Sequence, residues 1–374
     1  MVCELFRDIF FPKYLRCNEF SSRQSFISLK GLSKFKVFRS YHRFPHRPWR
    51  PHLFAFFSRD ADADTELLCL AYALAWFPAR AFRSISLCFS RYNLVHTEPL
   101  LELLAALELI QCDNLSITAC LTHEHHIDVL FPPVSTPMTW NLTNLTIEGN
   151  LDYTPFQPLL FGTSQLLEQL TLRSLETTST GFVWETLLST TNFPKLRSFQ
   201  TSEDAPPRLV LDFLSRHPKV SILAITVNTY SKSTPSDNVL EKIDLKSIKV
   251  VSGPPSYVHT VLLSASAAPS LARLSLQLNH LPNMSIFPKV TKCLAVCQKV
   301  EALEVTLPRS NCQVSTQTDN IPLLDFSTLA IKVFRITLLD SDFDQDGDAS
   351  NEDIMVSVTA SNSAHSNSLS GHMG

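Results

Sequence analysis

Asp342-Phe-Asp344-Gln-Asp346-Gly347-Asp348-Ala-Ser350-Asn-Glu-Asp353 is the stretch of this chain that comes nearest to a metal-binding constellation. It sets oxygen-bearing side chains at loop positions 1, 3, 5, 7, 9 and 12 around a glycine at position 6, the spacing with which a calcium loop surrounds its ion. The candidate ligands are Asp342, Asp344, Asp346, Asp348 and Asp353. Two substitutions count against them. Asp353 is shorter than the glutamate that closes such loops in bidentate fashion, and Ala349 stands where an apolar anchor is common. The flanks, 331–339 and 354–358, alternate like strands, so no helix–loop–helix frame surrounds the motif. The stretch reads as an acidic loop, and no metal is expected.

The other reactive residues assemble even less. His123-Glu124-His125-His126 lacks the second histidine of H-E-x-x-H, because Ile127 occupies its place. That stretch reads as a polar loop. Cys293 and Cys297 fall on an expected helix with no second cysteine pair and read as core. No serine lies in a G-x-S-x-G elbow. With only eight glycines, the chain carries neither G-x-G-x-x-G nor G-x-x-x-x-G-K-[ST]. No enzymatic activity and no cofactor are expected.

What recurs instead is an apolar pattern. Hexads of the form apolar-x-x-apolar-x-apolar begin at Phe82, Cys112, Leu142, Leu167, Leu196, Val220, Leu245, Leu271, Val300 and Ile331, spaced 24 to 31 residues apart. A strand carrying L-x-x-L-x-L, followed by a return segment, is the unit of a leucine-rich repeat. Alternate side chains of a strand point to opposite faces, so Leu145 and Ile147 go inward together while Asn144, Thr146 and Glu148 point out. The same count exposes Gln169, Thr171, Arg173, Gln200, Arg273, Gln277, Glu304 and Arg335.

Between hexads the period becomes helical. Pro255-Ser-Tyr-Val258-His-Thr-Val261-Leu262 is apolar at i, i+3 and i+4. Arg208-Leu209-Val-Leu-Asp-Phe213-Leu214 follows Pro207, and Pro99 and Pro288 likewise precede apolar runs. Proline is tolerated in a first helical turn because its missing N–H would have no partner there. Strand, return and helix at this length require parallel strands joined by helical crossovers. A doubly wound α/β domain also alternates strands and helices, but its strands usually read as continuous Val/Ile runs, whereas here polar residues separate the leucines. The expected fold is therefore α/β, a leucine-rich-repeat solenoid of parallel strands with helical returns. A single repeat cannot bury its apolar side, so stability comes from stacking neighbours.

The composition, 44% hydrophobic and 18% charged, fits a folded chain. Nine cysteines, an odd number with no C-x-x-C pair, suit a reduced intracellular compartment, cytoplasm or nucleus. On that reading the sequons at Asn114, Asn141, Asn144 and Asn283 are silent. The longest apolar stretch, Leu67 to Ala79, is 13 residues, short of the roughly 20 needed to span a bilayer. No membrane partner is expected. Residues 1–59 hold twelve Lys or Arg against three acids, whereas 340–353 hold seven acids and no base. The stretch Ser40 to Pro51 interleaves bases with aromatics, which can grip nucleic acid. No nucleic-acid-binding fold motif accompanies it, so it reads as a proline-broken connector.

Cys3-Glu4-Leu5-Phe6-Arg7-Asp8-Ile9-Phe10 resembles the opening helix of an F-box, usually P-E-[IL]-L-x-x-I-F, with cysteine in place of proline. Val37-Phe38-Arg39-Ser40-Tyr41 is similar to its V-C-[RK]-x-W segment, and Pro51-His52-Leu53-Phe54 to the P-x-L-W that often follows. With the helix-then-strand order from Leu67 onward, the chain resembles the F-box/leucine-rich-repeat proteins of mushroom-forming fungi, with a degenerate F-box. The resemblance implies that Leu5, Phe6, Ile9 and Phe10 lie on a Skp-type adaptor, as anchors of an amphipathic helix. Their other reading is the core of a terminal cap, which every solenoid needs.

The expected organisation is a small helical, degenerate F-box-like region over 1–60 and the solenoid over 61–339. An acidic loop with a terminal strand follows over 340–358, then a disordered Ser/Asn/His-rich tail over 359–374. The expected function is that of a substrate-recognition adaptor in a cullin–RING ubiquitin ligase of the SCF type. Its partners would be a Skp-type adaptor, a cullin scaffold and a target protein held by the outward strand residues. The alternative is a repeat scaffold with no ligase link.

Overall fold

The structure is a computed structural model that describes residues 26–31, 33–34, 38, 50–57, 63–89, 94–122, 140–149, 159–160, 162, 165–174, 181–226, 243–267, 270–277, 300–308, 333–339 and 355–358. The calcium-loop candidates Asp342 to Asp353, His123 to His126, Cys293, Cys297 and the four candidate adaptor contacts Leu5, Phe6, Ile9 and Phe10 lie outside the described residues. The chain is α/β and divides into two compact units, Met1–Ile222 with Asn228–Ser233, and Leu223–Val227 with Thr234–Gly374.

In the first unit, strands β1 (Phe26–Lys30), β2 (His52–Phe57), β3 (Ser84–Phe89), β5 (Asn114–Thr122), β6 (Asn144–Gly149), β7 (Gln169–Ser174) and β8 (Ser198–Ser202) lie side by side in that order. Every pairing is parallel. The short β4 (Leu94–Val95) adds to the far end of β5. Helices α1 (Ala63–Leu74) and α2 (Thr97–Ile110) return the chain to β3 and β5, α3 (Gly181–Thr190) to β8, and α4 (Pro207–Arg216) follows β8.

The hexads set the register. Ile85, Leu115, Leu145, Leu170 and Phe199 pair strand to strand at one level, and Leu87, Ile117, Ile147 and Leu172 two residues on. All of these are at most 1% exposed, and the hexad openers Phe82, Cys112, Leu142, Leu167 and Leu196 are fully buried. Burying each such side chain stabilises the fold by about 1.5–3 kcal/mol.

Backbone hydrogen bonds repeat the same unit at each strand entrance. One carbonyl accepts two successive N–H groups of the next repeat. Arg83 accepts from Asp113 (3.0 Å) and Asn114 (3.2 Å), Asp113 from Thr143 (2.8 Å) and Asn144 (3.3 Å), and Thr143 from Glu168 (2.8 Å) and Gln169 (3.0 Å). The turns are tied by side chains as well. Arg216, in the last turn of α4, donates to the carbonyls of Leu188 and Thr191 at the end of α3, where a helix leaves carbonyls without intrahelical partners.

In the second unit, β9 (Ile222–Thr226), β11 (Val250–Gly253), β13 (Arg273–Gln277), β14 (Ala302–Pro308), β15 (Val333–Leu339) and β16 (Met355–Val358) follow in order. β11, β13, β14 and β15 run parallel, and β16 joins antiparallel. A separate two-stranded ribbon pairs β10 (Ile243–Asp244) with β12 (Ala265–Ala267), on either side of α5 (Pro255–Ser264).

Two expectations need correction. The hexad placed at Leu245 begins three residues too early. Val250 pairs with Arg273 and Val251 with Leu274, so the unit opens at Ile248, and Lys249 accepts from Ala272 and Arg273 as its counterparts do. Leu245 misleads because it too is buried, while Gly253 fills the third apolar place.

The small helical region over 1–60 is the second correction. Among its described residues only Ser33, Lys34 and Phe38 are helical, whereas 26–30 and 52–57 are strands that extend the parallel sheet. Both segments alternate, and Ile27, Leu29, Leu53, Ala55 and Phe57 are buried. Two-residue alternation suits a strand with one covered face. Phe38 packs on Phe77 and Phe82 with ring centroids 5.0 and 6.0 Å away.

Candidate functional site

Because neighbouring strands are in register, outward side chains line up in rows across the sheet. In the first unit one row reads Phe26, His52, Ser84, Asn114, Asn144, Gln169 and Ser198. The next reads Ser28, Phe54, Ser86, Ser116, Thr146, Thr171 and Gln200. The third carries Lys30, Phe56, Cys88 and Thr118, and beyond a register shift in β5, Glu148 beside Arg173.

The expected contact residues fall into two groups. Asn144, Thr146, Glu148, Gln169, Thr171, Arg173 and Gln200 share adjoining strands of the first unit, all half-buried except the exposed Gln169. Arg273, Gln277, Glu304 and Arg335 share β13 to β15 of the second, where Glu304 pairs in register with Arg335.

Several of these side chains hold one another in place. Asn144 Nδ2 donates to Asn114 Oδ1 at 2.6 Å, and Thr171 Oγ1 to Gln200 Oε1 at 3.5 Å. Arg173 lies 3.9 Å from Glu148, and Arg273 3.5 Å from Glu304. Gln277 Nε2 donates to Ser252 Oγ at 3.5 Å. Such contacts orient the donors and acceptors of the face but leave its charge largely balanced.

Sequence reasoning missed the aromatic end of the face. Phe26 stacks on Phe54 with centroids 6.1 Å apart, and Lys30 Nζ sits 5.3 Å from the centre of the Phe56 ring. Beside them His52 Nδ1 and Ser84 Oγ are 2.5 Å apart. Three large rings on β1 and β2 thus stand next to the small side chains Ser84, Ser86 and Cys88 of β3. The alternation of 26–30 and 52–57 was a usable signal. It was hidden because Arg50, not an apolar residue, occupies the opener position level with Phe82.

The chemistry of the face is recognition. Among the described residues, no group of three or more His, Cys, Asp or Glu side chains could hold a metal ion. Cys112, buried at its hexad opener, has its thiol pushed up to about 12 by desolvation, which leaves it without the thiolate that reactivity requires. No described helix is long and apolar enough to cross a membrane. The chain matches no protein-family model and no curated protein.

Proposed function

We propose that this chain is a leucine-rich-repeat solenoid that recognises a target protein on its strand face, and that it serves as the substrate-recognition adaptor of an SCF-type cullin–RING ubiquitin ligase inside the cell. The observation that carries the recognition reading is the registered outward rows. Their side chains are fixed by the sheet yet contribute nothing to its core, so they are free to be chosen for a partner. The Phe26, Phe54 and Phe56 rings supply the kind of rigid, partly exposed aromatic anchor on which binding energy concentrates.

The ligase link rests on the resemblance of residues 3–54 to an F-box. In that role Leu5, Phe6, Ile9 and Phe10 bind a Skp-type adaptor, and the cullin complex brings a conjugating enzyme to the held target. The chain then acts by proximity alone. The second reading keeps the strand face and drops the ligase, leaving a protein-interaction scaffold.

Co-purification of the full chain with a Skp-type adaptor and with cellular proteins separates the readings. The ligase role expects adaptor capture that Leu5→Asp plus Ile9→Asp abolishes, with target capture lost in Phe54→Ser plus Phe56→Ser. Target capture without any adaptor would leave the scaffold standing. An unchanged set of captured proteins in the Phe54/Phe56 variant would remove the strand face from both.

A further inference from the structure

The layer formed by α1 and α2 carries a second surface, unrelated to the strand face. The two helices pack together and bury Leu67, Leu70 and Leu74 of one and Leu100, Leu103 and Leu107 of the other. On the outer side, three large apolar side chains remain in solvent: Tyr72 is 65% exposed, Trp76 53% and Leu109 68%. They belong to one end of the layer. Trp76 lies in the turn that closes α1, and the same turn reaches α2 through Arg80 N–H, which donates to Ile110 O at 2.6 Å.

Toward the other end of α2 the outer stripe becomes acidic. Glu98 and Glu102 are exposed, one and two turns ahead of Ala105 and Leu109 on the same face. Neither helix contains a lysine or arginine. The cations nearest in sequence, Arg80 and Arg83, lie past the apolar end. From Glu98 to Leu109 the stripe runs about 17 Å, at 1.5 Å per residue.

We infer that the outer face of α1 and α2 docks a basic amphipathic helix of a partner protein, seated over Tyr72, Trp76 and Leu109 with its lysines or arginines against Glu98 and Glu102. An apolar patch bounded by charge is the surface on which such a helix lies, its anchors spaced i, i+3, i+4 and i+7. The acidic half chooses a cationic partner and repels an acidic one. About three turns of helix match the stripe. The same acids turn away an anionic membrane, the other surface that takes up exposed Trp and Tyr. This site stands or falls independently of the strand-face reading.

Trp76 supplies the readout, because Trp140 and Trp184 are 3% and 0% exposed. The probe is a designed eighteen-residue helical peptide with leucines at i, i+3, i+4 and i+7 and flanking lysines, compared with its glutamate counterpart. Titrated into the full chain, the lysine peptide is expected to give a saturable blue shift of tryptophan emission that is absent in Trp76→Phe. The glutamate peptide should bind at least tenfold more weakly. Tyr72→Ser plus Leu109→Ser should abolish the shift, and Glu98→Lys plus Glu102→Lys should weaken it tenfold, all with an unchanged melting temperature, since these side chains lie in solvent. No shift, equal affinity for the two peptides, indifference to the paired variants, or a Trp76 shift on phosphatidylserine vesicles would each overturn the assignment.

Discussion

The guanidinium of Arg50 meets the carboxylate of Asp113, 63 positions later, at 2.9 Å, and also donates to the carbonyls of Arg80 and Phe82 at 2.8 Å. Arg50 occupies the opener position that Phe82 fills one strand on, so an ion pair and two carbonyl bonds stand where the later repeats bury an apolar side chain. The two charged side chains are 35% and 40% exposed, and solvent screens the pair to at most about 1 kcal/mol. With the carbonyl bonds, Arg50→Met is expected to lose about 1–2 kcal/mol, and Asp113→Asn less than half of that. Urea unfolding measures both; coincident midpoints for Arg50→Met and wild type would mean the contact does not tie β2 to its neighbours.

His217 gives the fold a pH dependence. Its Nε2 accepts from the Phe193 N–H at 2.9 Å, while Nδ1 faces the Phe213 carbonyl at 2.6 Å. The accepting nitrogen must be unprotonated. Burial, with Arg216 adding to it, lowers the pKa from 6.5 in spite of the Phe213 carbonyl. The unfolded chain therefore takes up the proton first. The stabilisation is complete above about pH 6.5 and declines as the pH falls below it toward the folded-state value. His217→Gln, which cannot titrate, should show a flatter loss of stability between about pH 7 and pH 5. An identical slope in the two proteins would exclude His217 as its source.

Gly253 holds the third inward place of its repeat because nothing larger fits. A Cβ there would lie 2.8 Å from Ile225 Cβ and 3.2 Å from the Ile225 carbonyl oxygen. Gly253→Ala should cost about 1–3 kcal/mol through overpacking, and trimming the neighbour in Gly253→Ala/Ile225→Val should recover part of it. Thermal melting of the three proteins checks this, and a neutral Gly253→Ala would show that the strands can separate at no cost.

Alternation in β6 predicts opposite outcomes for adjacent residues. Leu145→Ala empties a fully packed site and should lose about 2–5 kcal/mol, whereas Thr146→Ala on the outward face should stay within about 0.5 kcal/mol. Similar losses at both positions would contradict a sheet with one covered and one open face.

Most of the strand register was legible in the amino-acid sequence alone. The hexads at Phe82, Cys112, Leu142, Leu167, Leu196 and Leu271 coincide with the observed strands, because a two-residue alternation beside a fixed return length admits few registers. The inward and outward identities of residues such as Leu145 and Thr146 follow from that same alternation. The expected contact residues were placed on adjoining strands for this reason.

Only the tertiary structure decided where the pattern ends and how it bends its own rule. Leu245 and Ile248 are both buried and both fit an opener, so pairing with Arg273, not hydrophobicity, distinguishes them. Residues 26–30 and 52–57 join the sheet although no apolar opener announces β2, since the energy that a phenylalanine supplies elsewhere comes at Arg50 from contacts with residues 30 to 63 positions away. The aromatic end of the face and the acidic outer stripe of α2 beside Trp76 emerge for the same physical reason. Periodicity reports which way a side chain points within its own element, but which distant side chain lies beside it is settled by pairing and packing between elements.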